Sequence, residues 1–186
     1  MTEQQQGQIL PPGKQAGVCL HITSLPGPYG IGEIGQSAKD FVDAMDKMQL
    51  SVWQFLPTGP TAYGDSPYQP LSTFAGNEML VDIGDLVDLG LLREAEAEEL
   101  TGLPEHYVDY GTLIPIKTRL LYLAASRFEE TVGPEILREF DEFVHIAPDH
   151  VLAPHAVPVG IGLVHVVVAQ VAVAVGDERW HRIHHQ

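Results

Sequence analysis

Between residues 57 and 77 the chain reads PTGPTAYGDSPYQPLSTFAGN, and Tyr63, Asp65, Ser66, Tyr68 and Gln69 crowd its middle. Rings, hydroxyls, an amide and a single carboxylate stand there within seven residues. A second group, His21, Ser24 and Tyr29, lies in the stretch LHITSLPGPYG. Many donors and acceptors with almost no charge suit a neutral, polyhydroxylated ligand. A sugar offers C–H faces that stack on aromatic rings, and hydroxyls that need hydrogen-bond partners. A phosphate would ask for Lys, Arg or a glycine-rich helix start, and the 57–77 loop has no basic residue.

Each of these residues also has a plainer reading. Asp65-Ser66-Pro67 fits an Asx-type turn whose carboxylate bonds its own backbone. Trp53, in an apolar run, fits a core position as well as a ligand platform. His21, at the end of another apolar run, stands open between a packed histidine and a site residue. Tyr63 and Tyr68 sit among glycines and prolines, where rings are harder to bury, and this favours a binding role.

The elements that must carry these groups follow from periodicity. GVCLHI (17–22) and SVWQFL (51–56) are short apolar runs stopped by turn residues, which predicts two buried strands. Between them, SAKDFVDAMDKM (37–48) places Ala38, Phe41, Val42 and Met45 at helical spacing. Strand, helix, strand within forty residues predicts a βαβ unit and a parallel sheet. In such sheets ligands bind on the loops beyond the carboxyl ends of the strands, where both groups fall. Further on, the pattern predicts a short strand over 78–83, an acidic helical stretch over 86–100, and a helix over 110–130. That last helix has Ile116, Leu120, Ala124 and Phe128 at i+4 steps. Pro134 opens one more helix through Phe143.

Composition narrows the function classes. The 186 residues are 45% hydrophobic and 19% charged, as in globular chains with a real core. A formal net charge of −15 argues against nucleic acid or an anionic membrane as partner, since phosphate binding needs a basic surface. MTEQQQGQIL has neither the basic nor the apolar region of a secretory signal, and Cys19 is the only cysteine. A cytoplasmic location is expected.

Three long stretches say more than their spacing. GVCLHITSLPGPYGIGEIG (17–35), WQFLPTGPTAYGDSPYQ (53–69) and STFAGNEML (72–80) closely resemble the 4-alpha-glucanotransferase, or amylomaltase, family. YVDYGTLIPIKTRLL (107–121) is similar to the segment that family inserts after its second strand. The resemblance spans residues from about 15 to 143. It implies an α/β fold, the opening part of a (β/α)8 TIM barrel, left incomplete, with an inserted and mainly helical subdomain. On that basis 1–14 is a disordered leader, 15–83 the first βα units, 84–144 the helical insertion and 145–186 an atypical tail.

The resemblance further implies transfer of α-1,4-glucan segments between maltooligosaccharides by a retaining mechanism, with no metal or organic cofactor. Carried over residue by residue, Tyr68 sits beside the sugar near the cleavage point. Tyr63 contacts glucan on the same rim, and Asp65, Ser66, Pro67 and Gln69 shape the pocket. His21 and Ser24 join them from the first loop. None of these is a catalytic carboxylate, so the chain is expected to be an inactive amino-terminal fragment; a non-catalytic α-glucan-binding module is the alternative.

The tail departs from everything before it. From His145 onward it holds seven of the nine histidines and ten valines, and no Lys, Ser, Thr, Asn, Phe, Tyr, Met or Cys. Alternation of Val164, Val166 and Val168 fits a strand, and His181, His184 and His185 fit a weak metal site. A shifted reading frame near codon 144 accounts best for so abrupt a change of vocabulary. The apolar run 163–175 is shorter than the roughly twenty residues of a membrane-spanning helix.

Overall fold

The computed structural model describes residues 15–60, Ser66, Tyr68 and residues 76–146. Its first elements form the expected βαβ unit. Strands β1 (Gly17–Cys19) and β2 (Val52–Gln54) pair in parallel, with Val18 opposite Trp53 and Cys19 opposite Gln54. Helix α1 (Gln36–Lys47) makes the crossover between them. Ala38 and Met45 are buried, Phe41 and Val42 half-buried, and Asp40, Asp46 and Lys47 exposed, as the spacing requires. The helix ends in a Schellman turn. The Leu50 amide donates to the Met45 carbonyl at 2.9 Å, and Gln49 takes a left-handed φ of 58°.

Several expectations are corrected. The strands are three residues each, and Gly17, Cys19 and Gln54 are exposed where buried strands were expected. With one partner each among the described residues, the strands have outer edges and a face that no described element covers. The run 78–83 is not a strand. Glu78–Leu80 forms a 3-10 turn, because the Asn77 side chain accepts from the Met79 amide at 2.9 Å and coils the backbone. The single acidic helix over 86–100 is in fact two, α2 (Ile83–Asp88) and α3 (Glu94–Thr101). Gly90, at φ 73°, lets the chain turn between them while the Leu91 and Leu92 amides return to the Leu86 carbonyl.

Two longer helices follow, α4 (Tyr110–Thr131) and α5 (Pro134–Ile146). Asp82 and Asp109 cap α2 and α4, accepting from Asp85 and Thr112 amides at 2.9 and 3.3 Å. The buried stripe of α4 is Leu113, Lys117, Leu120, Leu121, Ala124, Ala125 and Phe128, while Ile116 is half-buried. Removing each large apolar side chain of that stripe from water is worth about 1.5–3 kcal/mol. They pack with Ile83, Leu86, Leu91, Leu92, Ala97 and Leu100 into the main core, which also takes in Ile31, Met79 and Val81. A smaller core of Ile22, Leu25, Ala38 and Leu80 lies under the βαβ unit.

Charges lock α3 onto α4. Glu96 accepts from the Arg93 amide at 2.9 Å and from both terminal nitrogens of Arg127, at 2.8 and 3.0 Å. The Arg127 and Arg93 donors hold the Glu96 carboxyl well below the usual carboxylate range. α5 packs back through Phe140, whose ring lies 5.1 Å from that of Phe128. The expected boundary at residue 144 falls inside α5, and the histidine- and valine-rich stretch beyond 146 lies outside the described residues.

Candidate functional site

The parallel register sends both punctuated loops from the same edge of the sheet. The Leu20 amide donates to the Gln54 carbonyl at 2.9 Å, so the ladder continues one step past β1 and then opens. His21 follows at once and starts the 3-10 turn Ile22–Ser24, in which Ile22 is buried and Ser24 exposed. The His21 side chain is half-buried, and its Nδ1 is shut off from solvent with no hydrogen-bond partner among the described residues. Burial holds its pKa below the usual 6.5, so the imidazole is neutral at pH 7 and keeps one nitrogen as an acceptor.

Trp53 settles on the packed side of its two readings. Its indole Nε1 donates to the Leu20 carbonyl at 2.8 Å, and its ring meets Phe41 edge-on with centroids 4.8 Å apart. Phe55 stands on the outer side, 5.7 Å from Trp53 and 47% exposed. Trp53 thus ties β2 to the start of the first loop.

The second loop departs through Pro57 and Thr58. Its two ends meet: the Asn77 amide donates to the Thr58 carbonyl at 2.9 Å. That bond closes a stem between Thr58 and Asn77. Ser66 is half-buried, and Tyr68 is 69% exposed, the ring free of the core. Tyr63, Asp65, Pro67 and Gln69 lie outside the described residues.

The feature that residue spacing missed lies just behind the stem. Lys117 is fully buried, and its ammonium donates to the equally buried carboxylate of Glu33 and, at 2.9 Å, to the Met79 carbonyl. The other Glu33 oxygen accepts from the Ile83 amide at 3.4 Å. Burial pushes the Glu33 carboxyl up to about 7, against the pull of Lys117, and burial lowers Lys117 in turn. The sequence signal was there to be read: Lys117 sits in the apolar stripe of α4, between Leu113 and Leu120. Among the described residues, no group of three or more His, Cys, Asp or Glu is placed to hold a metal ion. No described helix is long and apolar enough to cross a membrane.

A parallel βαβ unit whose loops rise from one edge, buttressed by a helical layer, is an α/β arrangement built for ligands at strand ends. The family pattern for 4-alpha-glucanotransferase matches residues 20–158, and the chain belongs to that family. The match runs past Val144, where the likeness was expected to stop. A 4-alpha-glucanotransferase of Streptococcus pneumoniae is 46% identical over 131 residues, covering 70% of this chain and 25% of the relative. One from Thermus thermophilus is 44% identical over 127 residues, 68% of this chain and 25% of the relative. The chain thus spans about a quarter of the length of these relatives. Among solved structures, an amylomaltase from Streptococcus agalactiae in complex with acarbose superposes with a TM-score of 0.70 at 25% identity. That likeness covers 92% of this chain and 40% of the other.

Proposed function

We propose that this chain builds the sugar-holding rim of a 4-alpha-glucanotransferase, an enzyme that passes α-1,4-glucan segments between maltooligosaccharides. The observation that carries the proposal is the loop stem closed by Asn77 and Thr58 at the carboxyl edge of a parallel pair, in a chain of this family. On this reading β1, α1 and β2 open a (β/α)8 barrel, and α2 to α5 form its helical insertion.

Tyr68 lies against the sugar near the cleavage point, its exposed ring offering a stacking face. Tyr63 contacts glucan further along the rim, and Asp65, Ser66, Pro67 and Gln69 shape the pocket between them. His21 and Ser24 face the same edge from the first loop, a neutral imidazole and an exposed hydroxyl suited to sugar hydroxyls. Retaining transfer needs a carboxylate to attack the anomeric carbon and a carboxylic acid to protonate the leaving oxygen. An acceptor hydroxyl then gives its proton to that second group as it displaces the enzyme carboxylate. Neither role falls to a residue named here, so these side chains bind and orient. No metal or organic cofactor enters the chemistry, and the setting is cytoplasmic glucan metabolism.

The test is titration of the full chain with maltoheptaose, followed by tryptophan fluorescence, beside an assay of glucose release from maltotriose. Saturable maltoheptaose binding that Tyr68→Ala weakens supports the rim. Binding indifferent to Tyr68→Ala, or no binding at all, overturns it. Glucose release by the unaltered chain would overturn the statement that the named residues bind without reacting.

A further inference from the structure

Glu33 and Lys117 are the charged side chains buried among the described residues, at 4% and 0% exposure. Taking two charges out of water costs more than their attraction returns unless the remaining lone pairs and protons also find partners. Here they do, and both extra partners belong to one short segment. Lys117 holds the Met79 carbonyl at 2.9 Å, and Glu33 holds the Ile83 amide at 3.4 Å. Beside them the Ile34 amide donates to the Leu80 carbonyl at 2.8 Å. Residues 79–83 are therefore gripped at both ends by a pair whose members come from the first loop and from α4.

Order passes from that grip to the rim in two short steps. The Met79 amide donates to the Asn77 side chain at 2.9 Å, and the Asn77 amide closes the stem on Thr58 at 2.9 Å. Apolar side chains of equal volume would fill the space of the pair without its desolvation cost. They would not direct the Met79 carbonyl or the Ile83 amide.

We propose that the Glu33–Lys117 pair is a positioning latch: by gripping Met79 and Ile83 it sets where the loop stem closes between Asn77 and Thr58. Its consequence for glucan rests on the rim reading above, but the latch itself is a property of the chain without sugar. Glu33 and Lys117 touch no reacting atom; they act through the stem.

Hydrogen exchange of the full chain, followed amide by amide without ligand, tests it. In the Glu33→Leu/Lys117→Met double variant, Asn77 and Ile83 amides are expected to open about tenfold more often, while Leu120 and Leu121 stay within about twofold. Unchanged protection of Asn77 in that variant overturns the latch. If the double variant fails to fold, the unaltered chain in sub-denaturing urea decides. Asn77 and Ile83 opening together, with one urea dependence, supports the latch; Asn77 opening alone overturns it. A maltoheptaose titration of the double variant then separates the two readings. A released stem with unaltered sugar affinity upholds the latch and overturns the rim.

Discussion

Lys117 donates to the Glu33 carboxylate across eighty-four residues of sequence, and both groups are shut off from solvent. Removing one partner leaves the other as an uncompensated buried charge, which costs about 3–5 kcal/mol. Lys117→Met is therefore expected to lower the urea midpoint sharply, with the slope of the transition unchanged. Glu33→Leu added to it removes the stranded charge and recovers most of the loss. A double variant no more stable than Lys117→Met alone would show that the pair is not the origin of the effect.

The same pair imposes a pH dependence whose sign follows from the shifts. Burial raises the folded pKa of Glu33 from 4.5 to about 7, so between those values the folded chain binds more protons than the unfolded one. Stability from this group is full below about 4.5 and falls as pH rises toward 7. Lys117 is shifted the other way, so its contribution grows with pH on the alkaline side, up to its usual 10.5. Asp82 acts on both groups, opposing ionisation of Glu33 and favouring that of Lys117, and Tyr29 faces Glu33 from the first loop. The stability difference between the unaltered chain and the Glu33→Leu/Lys117→Met variant should thus fall from pH 5 toward 7 and rise again on the alkaline side. Urea melts from pH 5 to 9 measure it, and a difference that rises steadily between pH 5 and 7 would contradict the assignment.

Two backbone positions give predictions of opposite sign. Gln49 adopts φ 58° in the turn that ends α1, a region that costs a side-chain-bearing residue about 1–2 kcal/mol. Gln49→Gly is expected to raise stability by about 1 kcal/mol, because glycine pays no such penalty there. Gly30 lies at φ 76°, and a Cβ there would stand 2.6 Å from Leu103 side-chain atoms. Gly30→Ala should therefore destabilise by clash and by strain, and thermal melts of the two variants should move in opposite directions.

These contrasts show what in the chain is legible locally. The βαβ unit was readable because Ala38, Phe41, Val42 and Met45 declare one face, and the two apolar runs beside them end in turn residues. The run 78–83 misled because Met79, Leu80 and Val81 form a short apolar run, but Asn77 caps it into a turn and Lys117 claims the Met79 carbonyl. Both are decided by a side chain's partner rather than by periodicity. The acidic stretch reads as one helix because an isolated glycine is tolerated inside a helical pattern, yet the left-handed turn at Gly90 divides it. Of the candidate site, the loop positions and the closeness of their origins followed from strand order. The Glu33–Lys117 pair did not, since pairing over such a distance depends on the fold already made. A lysine inside the stripe from Leu113 to Phe128 was the one local hint.

Tyr68 offers the sharpest separation of binding from folding. Its ring is 69% exposed, so Tyr68→Ala should leave stability within about 0.5 kcal/mol of the unaltered chain. Aromatic pairs gain about 0.5–1.5 kcal/mol beyond area burial, and a stacking contact of that size on a sugar face means that maltoheptaose affinity should fall about 2- to 13-fold. Tyr68→Phe keeps the ring and isolates the hydroxyl; affinity close to the unaltered chain assigns the contact to stacking. His21 adds a pH signature to the same titration. Burial holds it neutral through the physiological range, below its usual 6.5, and protonation on the acid side removes its acceptor nitrogen. Affinity should therefore be flat from pH 8 to 6.5 and fall below that, with the fall abolished in His21→Gln. A decline already complete at pH 7 would mean that a group other than His21 controls the first loop.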